Sequence, residues 1–299
     1  VKTRKSLGLF CLVLFLAGCN NLFRQVSTPQ TPTTPPITPL TLDQLKNYTY
    51  LASQYNRVAS LKDGTFETGS GADIFSASLL PQVAFGDLNG DGMEDAAVLL
   101  SENGGGTGVF VSLIAVLNEN GAPMEAATAF IDDRPLINSL TISDGKIILL
   151  ATIHKLTDPM VNPTLKVSET YVFPKALGTT NLVLTHFISY TPDGFERSIT
   201  IESPKNGAQV SGSIQLQGNM PIGPFENTLA YRIYDGSGNE LGAGPFMVNS
   251  DGAGGPATFE APIDISTLPK GIVIRLELVD VSMADGSTIA LDSVELLIQ

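Results

Sequence analysis

Apolar and polar positions alternate with a period of two along most of this chain, the signature of half-buried β-strands. Val109–Asn118 (VFVSLIAVLN), Lys146–Ile153 (KIILLATI) and Val167–Phe173 are rich in β-branched and aromatic residues. The turn pairs Asp63-Gly64, Asn120-Gly121 and Asp144-Gly145 separate such runs as hairpin signals. In Val109–Asn118 both alternating faces are apolar, Val109/Val111/Leu113/Ala115/Leu117 and Phe110/Ile114/Val116. That strand is expected at a sheet centre with a layer on each side. Another period appears once. Leu42, Leu45, Tyr48, Ala52 and Tyr55 recur at helical spacing, and Thr41 with Gln44 has the spacing of a capping box. This predicts a short helix over Leu42–Tyr55 lying on an antiparallel sheet, an α+β domain over residues 41–196.

From residue 197 to 299 no helical period recurs. Short alternating runs follow one another: Ile199/Ile201, Ile214/Leu216, Leu229/Tyr231/Ile233, Ile272/Ile274/Leu276/Leu278 and Val294/Leu296/Ile298. Turn pairs stand between them (Asn206-Gly207, Asp235-Gly236, Asp251-Gly252, Asp285-Gly286). About seven such strands in about a hundred residues predict an immunoglobulin-like β-sandwich. The whole chain is therefore expected to be mainly β.

The first forty residues follow neither pattern. Lys2, Arg4 and Lys5 precede the apolar run Leu7–Leu16, which is too short to span a bilayer as a helix. Leu16-Ala17-Gly18-Cys19 closes it with small residues before a cysteine, as in a bacterial lipobox. The expectation is a signal peptide over residues 1–18, cleaved before a lipid-acylated Cys19. Residues 19–40 carry the Pro/Thr-rich stretch STPQTPTTPPITPLT up to Thr41. Proline fixes φ and lacks an amide donor, so this reads as a semi-rigid tether.

Composition narrows the function classes. Without residues 1–18 the chain keeps 14 Lys+Arg against 30 Asp+Glu, a net charge near −16. Such a field repels nucleic acid and anionic headgroups and attracts cations. Nucleic acid is excluded as a partner, and membrane association is expected through lipid on Cys19. Cys11 and Cys19 are the two cysteines, so the folded part forms no disulfide and has no thiol chemistry.

One segment carries the spacing of a cation site. In Asp87-Leu88-Asn89-Gly90-Asp91-Gly92-Met93-Glu94-Asp95, oxygen-bearing side chains occupy positions 1, 3, 5 and 9 with glycine at 6. Asp87, Asn89, Asp91 and Asp95, with the carbonyl of Met93, are the expected ligands of a Ca²⁺ ion. Position 12, a glutamate in an EF-hand, is Val98, so the loop is similar to strand–loop–strand calcium loops instead. Other candidates dissolve on inspection. His154 and His186 lack a metal-ligand partner at helical spacing. Ser143-Asp144-Gly145-Lys146 fits S-x-x-K but has a hairpin turn at its centre. Gly104–Gly108 opens a strand, not a helix, and reads as a flexible loop tip. Asp132-Asp133-Arg134 reads as a solvated turn before Pro135.

Two resemblances add to this. Ile201–Val210 (IESPKNGAQV), Ile214–Gly218 (IQLQG), Phe225–Leu229 (FENTL) and Asp235–Gly238 (DGSG) resemble the immunoglobulin-like domain of bacterial spore-germination and GerM-type envelope proteins. That resemblance implies an extracytoplasmic binding or assembly module, not an enzyme. Gly86–Val98, Gly104–Gly108 and His154–Thr164 look like a class of bacterial lipoproteins marked by a GDLNGDG-x-x-DAAV block and an H-x-x-x-DPM-x-x-PT block. The expected protein is non-catalytic and held by lipid on the extracytoplasmic face of the cell membrane, or on the outer membrane of a host that has one. It would bind a cell-wall polymer or an envelope protein. The alternative is an envelope hydrolase or transferase with its site near His154 and Asp158.

Overall fold

Thr41 begins a helix and fixes its start. Its hydroxyl accepts the Gln44 amide at 3.2 Å, while Gln44 Oε1 accepts the Thr41 amide at 2.9 Å. The helix (α1, Leu42–Lys46) is much shorter than its apolar spacing predicts. Asn47 ends it by bonding its side-chain amide to the Asp43 carbonyl at 2.9 Å. The residues expected to continue it form a hairpin, β1 (Thr49–Ala52) with β2 (Arg57–Ser60), turned through Asn56 at φ 49°. Tyr50 and Ala52 are two apart as well as within helical reach of their neighbours. In the hairpin they are buried while Thr49 and Leu51 face water. The computed structural model describes residues 38–174 and 179–299, apart from positions 251 and 253. Cys19, the predicted leader and the Pro/Thr-rich stretch lie outside the described residues.

A five-stranded antiparallel sheet follows: β3 (Thr65–Thr68), β4 (Phe75–Gly86), β5 (Asp95–Asn103), β6 (Phe110–Glu119) and β7 (Ala122–Asp133), in that order. Strand β6 lies inside the sheet between β5 and the edge strand β7, one place from the centre its composition predicts, and is buried on both faces as that composition predicts. Ile114 and Val116 pack with Leu45, Tyr50, Ala59 and Leu61 of the helix–hairpin cover. Val111, Leu113, Ala115 and Leu117 face a second sheet.

That second sheet begins with β8 (Leu136–Ser143), β9 (Lys146–Ile153), β10 (Leu165–Val172) and β11 (Val183–Tyr190). The chain then passes through β12 (Glu196–Arg197), β13 (Thr200–Ser203), β14 (Gln209–Val210), β15 (Ser213–Met220), β16 (Thr228–Asp235), β17 (Glu240–Met247), β18 (Asn249–Ser250), β19 (Ala257–Asp264), β20 (Val273–Val281) and β21 (Thr288–Ile298). Strands β13, β15, β19 and β18 form a four-stranded sheet. The others extend the second sheet into one path, β17-β16-β20-β21-β11-β10-β9-β8, with β12 beside β11 and β14 beside β21.

The join is the antiparallel pairing of β11 with β21, His186 opposite Asp292, Phe187 opposite Leu291 and Ile188 opposite Ala290. Side chains alternate across a strand, so consecutive residues of β21 serve different cores. Leu291 packs with Phe187 and Leu113 on the face covered by the five-stranded sheet. Ala290, Val294 and Leu296 pack with Ile214 and Phe259 on the opposite face, under the four-stranded sheet. The long sheet is thus covered on one face at one end and on the other face at the other.

Candidate functional site

The acidic loop joins β4 to β5, and its own side chains tie it. Asp87 accepts the amides of Gly90 at 2.7 Å and Gly92 at 2.9 Å. Asn89 Oδ1 accepts the Asp91 amide at 3.0 Å, and Asp91 Oδ1 accepts the Met93 amide at 2.7 Å. Gly90 and Gly92 stand at φ 81° and 83°, where a side chain would be strained. The side chains at positions 1, 3 and 5 therefore all turn toward the loop's own backbone.

Asp95 does something different. It is wholly buried, with Oδ2 accepting the Leu88 amide at 2.8 Å and Oδ1 the Asn118 amide at 2.9 Å. It clamps the loop to the end of β6. Burial raises its pKa, and the two amide bonds oppose that rise. The donors of the loop are carboxylate, amide and carbonyl oxygens, the chemistry that Ca²⁺ takes. Among the described residues, no group of three or more His, Cys, Asp or Glu side chains is gathered to hold a metal ion. The donor chemistry fits Ca²⁺, while the described acidic side chains do not by themselves form a cage. An open groove of about 560 Å³ runs beside the loop, lined by Asp87, Asn89, Ile142 and Asp144.

The Asp132–Asp133–Arg134 segment is not the solvated turn its sequence predicts. Asp133 is buried, accepting the Val109 amide at 2.7 Å and pairing with Arg134 at 2.7 Å. Asp132 accepts both the His154 amide at 2.6 Å and His154 Nδ1 at 2.8 Å. A carboxylate accepts only, so Nδ1 is the protonated nitrogen. Nε2 is buried and has no hydrogen-bond partner among the described residues. Below this pair lies Glu169, which accepts the Tyr171 hydroxyl at 3.0 Å. Burial pushes the Glu169 carboxyl up to about 7, with the charge of Asp132 adding to it. Sequence reasoning passed over Glu169, although its place between Val167 and Tyr171 on one alternating face marks it as inward. Among the described residues, His154 lines neither the groove beside the acidic loop nor the one on the four-stranded sheet.

Asp158 closes the loop after β9, with its oxygens accepting the amides of Lys155 and Thr164 and the Thr164 hydroxyl. These bonds make it a brace of that loop. His186 Nε2 lies 2.8 Å from Asp292 Oδ1 across the β11–β21 join. Asp292 Oδ2 accepts the Ile201 amide at 2.8 Å, so this carboxylate ties three segments together. The Gly104–Gly108 loop is fastened by Asn103, which donates to the Gly106 and Gly108 carbonyls and accepts the Gly105 amide.

On the sandwich, a second open groove of about 570 Å³ lies where β18 ends beside β19. Glu202, Gln217, Asn219, Asn249 and Glu260 line it, with Met247 on its rim. Asn219 donates to Glu202 at 2.7 Å.

This part of the chain is what comparison with known proteins identifies. The family model described as the immunoglobulin-like domain of bacterial spore germination matches residues 198–287. The match bears out the resemblance carried by Ile201–Gly238, and it is consistent with an envelope-associated, non-catalytic role. No curated protein and no solved structure matches the chain. Among the described residues no helix is long and apolar enough to cross a membrane.

Proposed function

We propose that this protein is a lipid-anchored, extracytoplasmic binding or assembly protein. Its sandwich would engage an envelope protein or wall polymer, and its amino-terminal body would serve as the rigid support. The observation that carries this reading is the match of residues 198–287 to the germination-type immunoglobulin-like domain. The anchor would be acyl chains on Cys19, the residue that follows the leader pattern. Replacing Cys19→Ser tests it. The wild type should fractionate with membranes and take up labelled palmitate, and the variant should do neither. A variant that stays membrane-bound and labelled overturns the anchor. For the binding role, the body from Asn20 onward is immobilised against envelope fractions. Saturable capture that competes with free body supports the role, and its absence removes it.

Ca²⁺ is part of the same proposal. Asp87, Asn89, Asp91 and the Met93 carbonyl would hold it, supplying charge neutralisation to an exposed acidic loop, while Asp95 fixes the loop's base. At free Ca²⁺ a hundredfold above its dissociation constant, binding would add about 2.7 kcal/mol. The melting temperature should then fall when EDTA is added. An unchanged melt rejects the ion.

A further inference from the structure

We infer that the open edge of β19, from Phe259 to Asp264, accepts an extended, lysine- or arginine-bearing segment of a partner protein. This rests on the binding role proposed above and gives it a place and a chemistry. Strand β19 pairs with β15 along its whole length, from Ala257 opposite Met220 to Asp264 opposite Ser213. On its other side β18 covers Ala257 and Thr258 and then stops. Among the described residues no strand pairs with the rest of that edge, whose backbone N–H and C=O groups are a template for another strand. A segment laid in the lane that β18 vacates would bond to this edge by strand addition. Side chains at its end nearest β18 would then meet Glu260 and Asn249 at the mouth of the groove that Gln217, Asn219 and Glu202 continue.

The chemistry of the groove selects the occupant. Its lining holds two carboxylates and three amides, and no lysine or arginine. Glu260 and Asp264 are exposed on the edge strand itself. A second copy of the chain would bring like charges face to face, which disfavours cross-strand pairing, and each copy carries a net charge of −13. Pro262 takes one donor from the edge. Charge and proline on an edge are the devices by which natural sheets avoid self-association. A cationic segment meets the same carboxylates favourably, and the field of the whole protein steers it inward.

The test is fluorescence anisotropy on the full chain with a labelled decapeptide of alternating lysine and threonine. Binding is expected, and none by a glutamate–threonine peptide of the same length. The same lysine–threonine peptide N-methylated at every backbone amide keeps the charge but lacks the strand-pairing donors, and should bind about tenfold more weakly. Glu260→Lys should weaken the lysine–threonine peptide about tenfold, and Glu260→Gln less. No binding of that peptide, equal binding of the N-methylated peptide, or indifference to Glu260→Lys overturns the site. Capture of an envelope component that persists in Glu260→Lys removes this site while leaving the wider binding role standing.

Discussion

Replacing Asp95 by alanine asks whether the acidic loop is held by the protein itself. In the wild type the fully buried carboxylate accepts the amides of Leu88 and Asn118 at 2.8 and 2.9 Å. Alanine leaves two buried N–H groups without an acceptor, at about 1–3 kcal/mol each. Part of that loss is returned, because a carboxylate no longer has to be stripped of water, the same cost that raises its pKa. The net expectation is a loss of about 2–4 kcal/mol. For a body of this size each kcal/mol moves the melting temperature by about 2–4 °C, so the fall should be roughly 5–15 °C. Asp95→Asn keeps one carbonyl acceptor and should lose about half as much.

Because the chain has no tryptophan, unfolding is best followed by far-ultraviolet circular dichroism, in excess Ca²⁺ and in excess EDTA. A backbone clamp predicts the same loss in both. Asp95→Ala melting like the wild type would refute the reasoning. So would a loss that appears in Ca²⁺ and vanishes in EDTA, since that would make Asp95 a ligand rather than a brace.

Burial raises three further carboxyls, Glu102 and Glu169 to about 7 from 4.5 and Asp280 to about 6 from 3.8. The folded chain then holds protons that the unfolded chain has released, so the contribution of these groups is fully present below about pH 4 and is lost as pH rises from there through about 7. At about 1.4 kcal/mol per unit of pKa, each group costs about 3 kcal/mol above pH 8. Urea unfolding should show the decline, and a flat or rising profile over that range refutes it. Glu169→Gln can still accept from Tyr171 and should raise stability at pH 8 by about 1–3 kcal/mol, with little effect below pH 4. Gly218→Ala would drive a Cβ into the Thr200 carbonyl and the Phe259 ring, costing about 1–3 kcal/mol. A lower urea midpoint with unchanged slope checks it. Leu291→Ala should cost about 2–4 kcal/mol and leave calorimetric unfolding as one transition, since its side chain sits in the amino-terminal core. Two separated transitions would show that the join does not couple the halves.

Most of the β architecture was legible because burial on both faces of β6 and alternation in β16, β20 and β21 are written directly in residue type. Turn pairs such as Asp144-Gly145 were equally plain, since a left-handed pair at φ 52° and 71° calls for those residues. The helix was over-read because Tyr48, Ala52 and Tyr55 satisfy a period of 3.6, while Tyr50 and Ala52 also satisfy a period of two. Asn47 and the β-favouring Thr49-Tyr50 decide for the hairpin. The Asp132–His154 pair was hidden for another reason. The two residues are 22 apart in sequence and meet through the packing of β7 against the end of β9, which local composition does not encode. The charge run before Pro135 looked like a wet turn because exposure is the usual fate of Asp-Asp-Arg.

The pairing of β11 with β21 was invisible for the same reason, and it changes what the sandwich can do. The family match ends at residue 287, one residue before β21 begins. The strand that makes the join therefore lies beyond the matched segment, and the edge it offers is already occupied within the chain. Strand addition at that edge would have to displace Phe187 and Leu291 from a shared core and break the bonds around Asp292. At β19 it has no ladder to break, because among the described residues β18 pairs only with Ala257 and Thr258. Two edges of one sandwich thus carry opposite roles. One is spent on fastening the module to its support, and the other stays open with carboxylates guarding it.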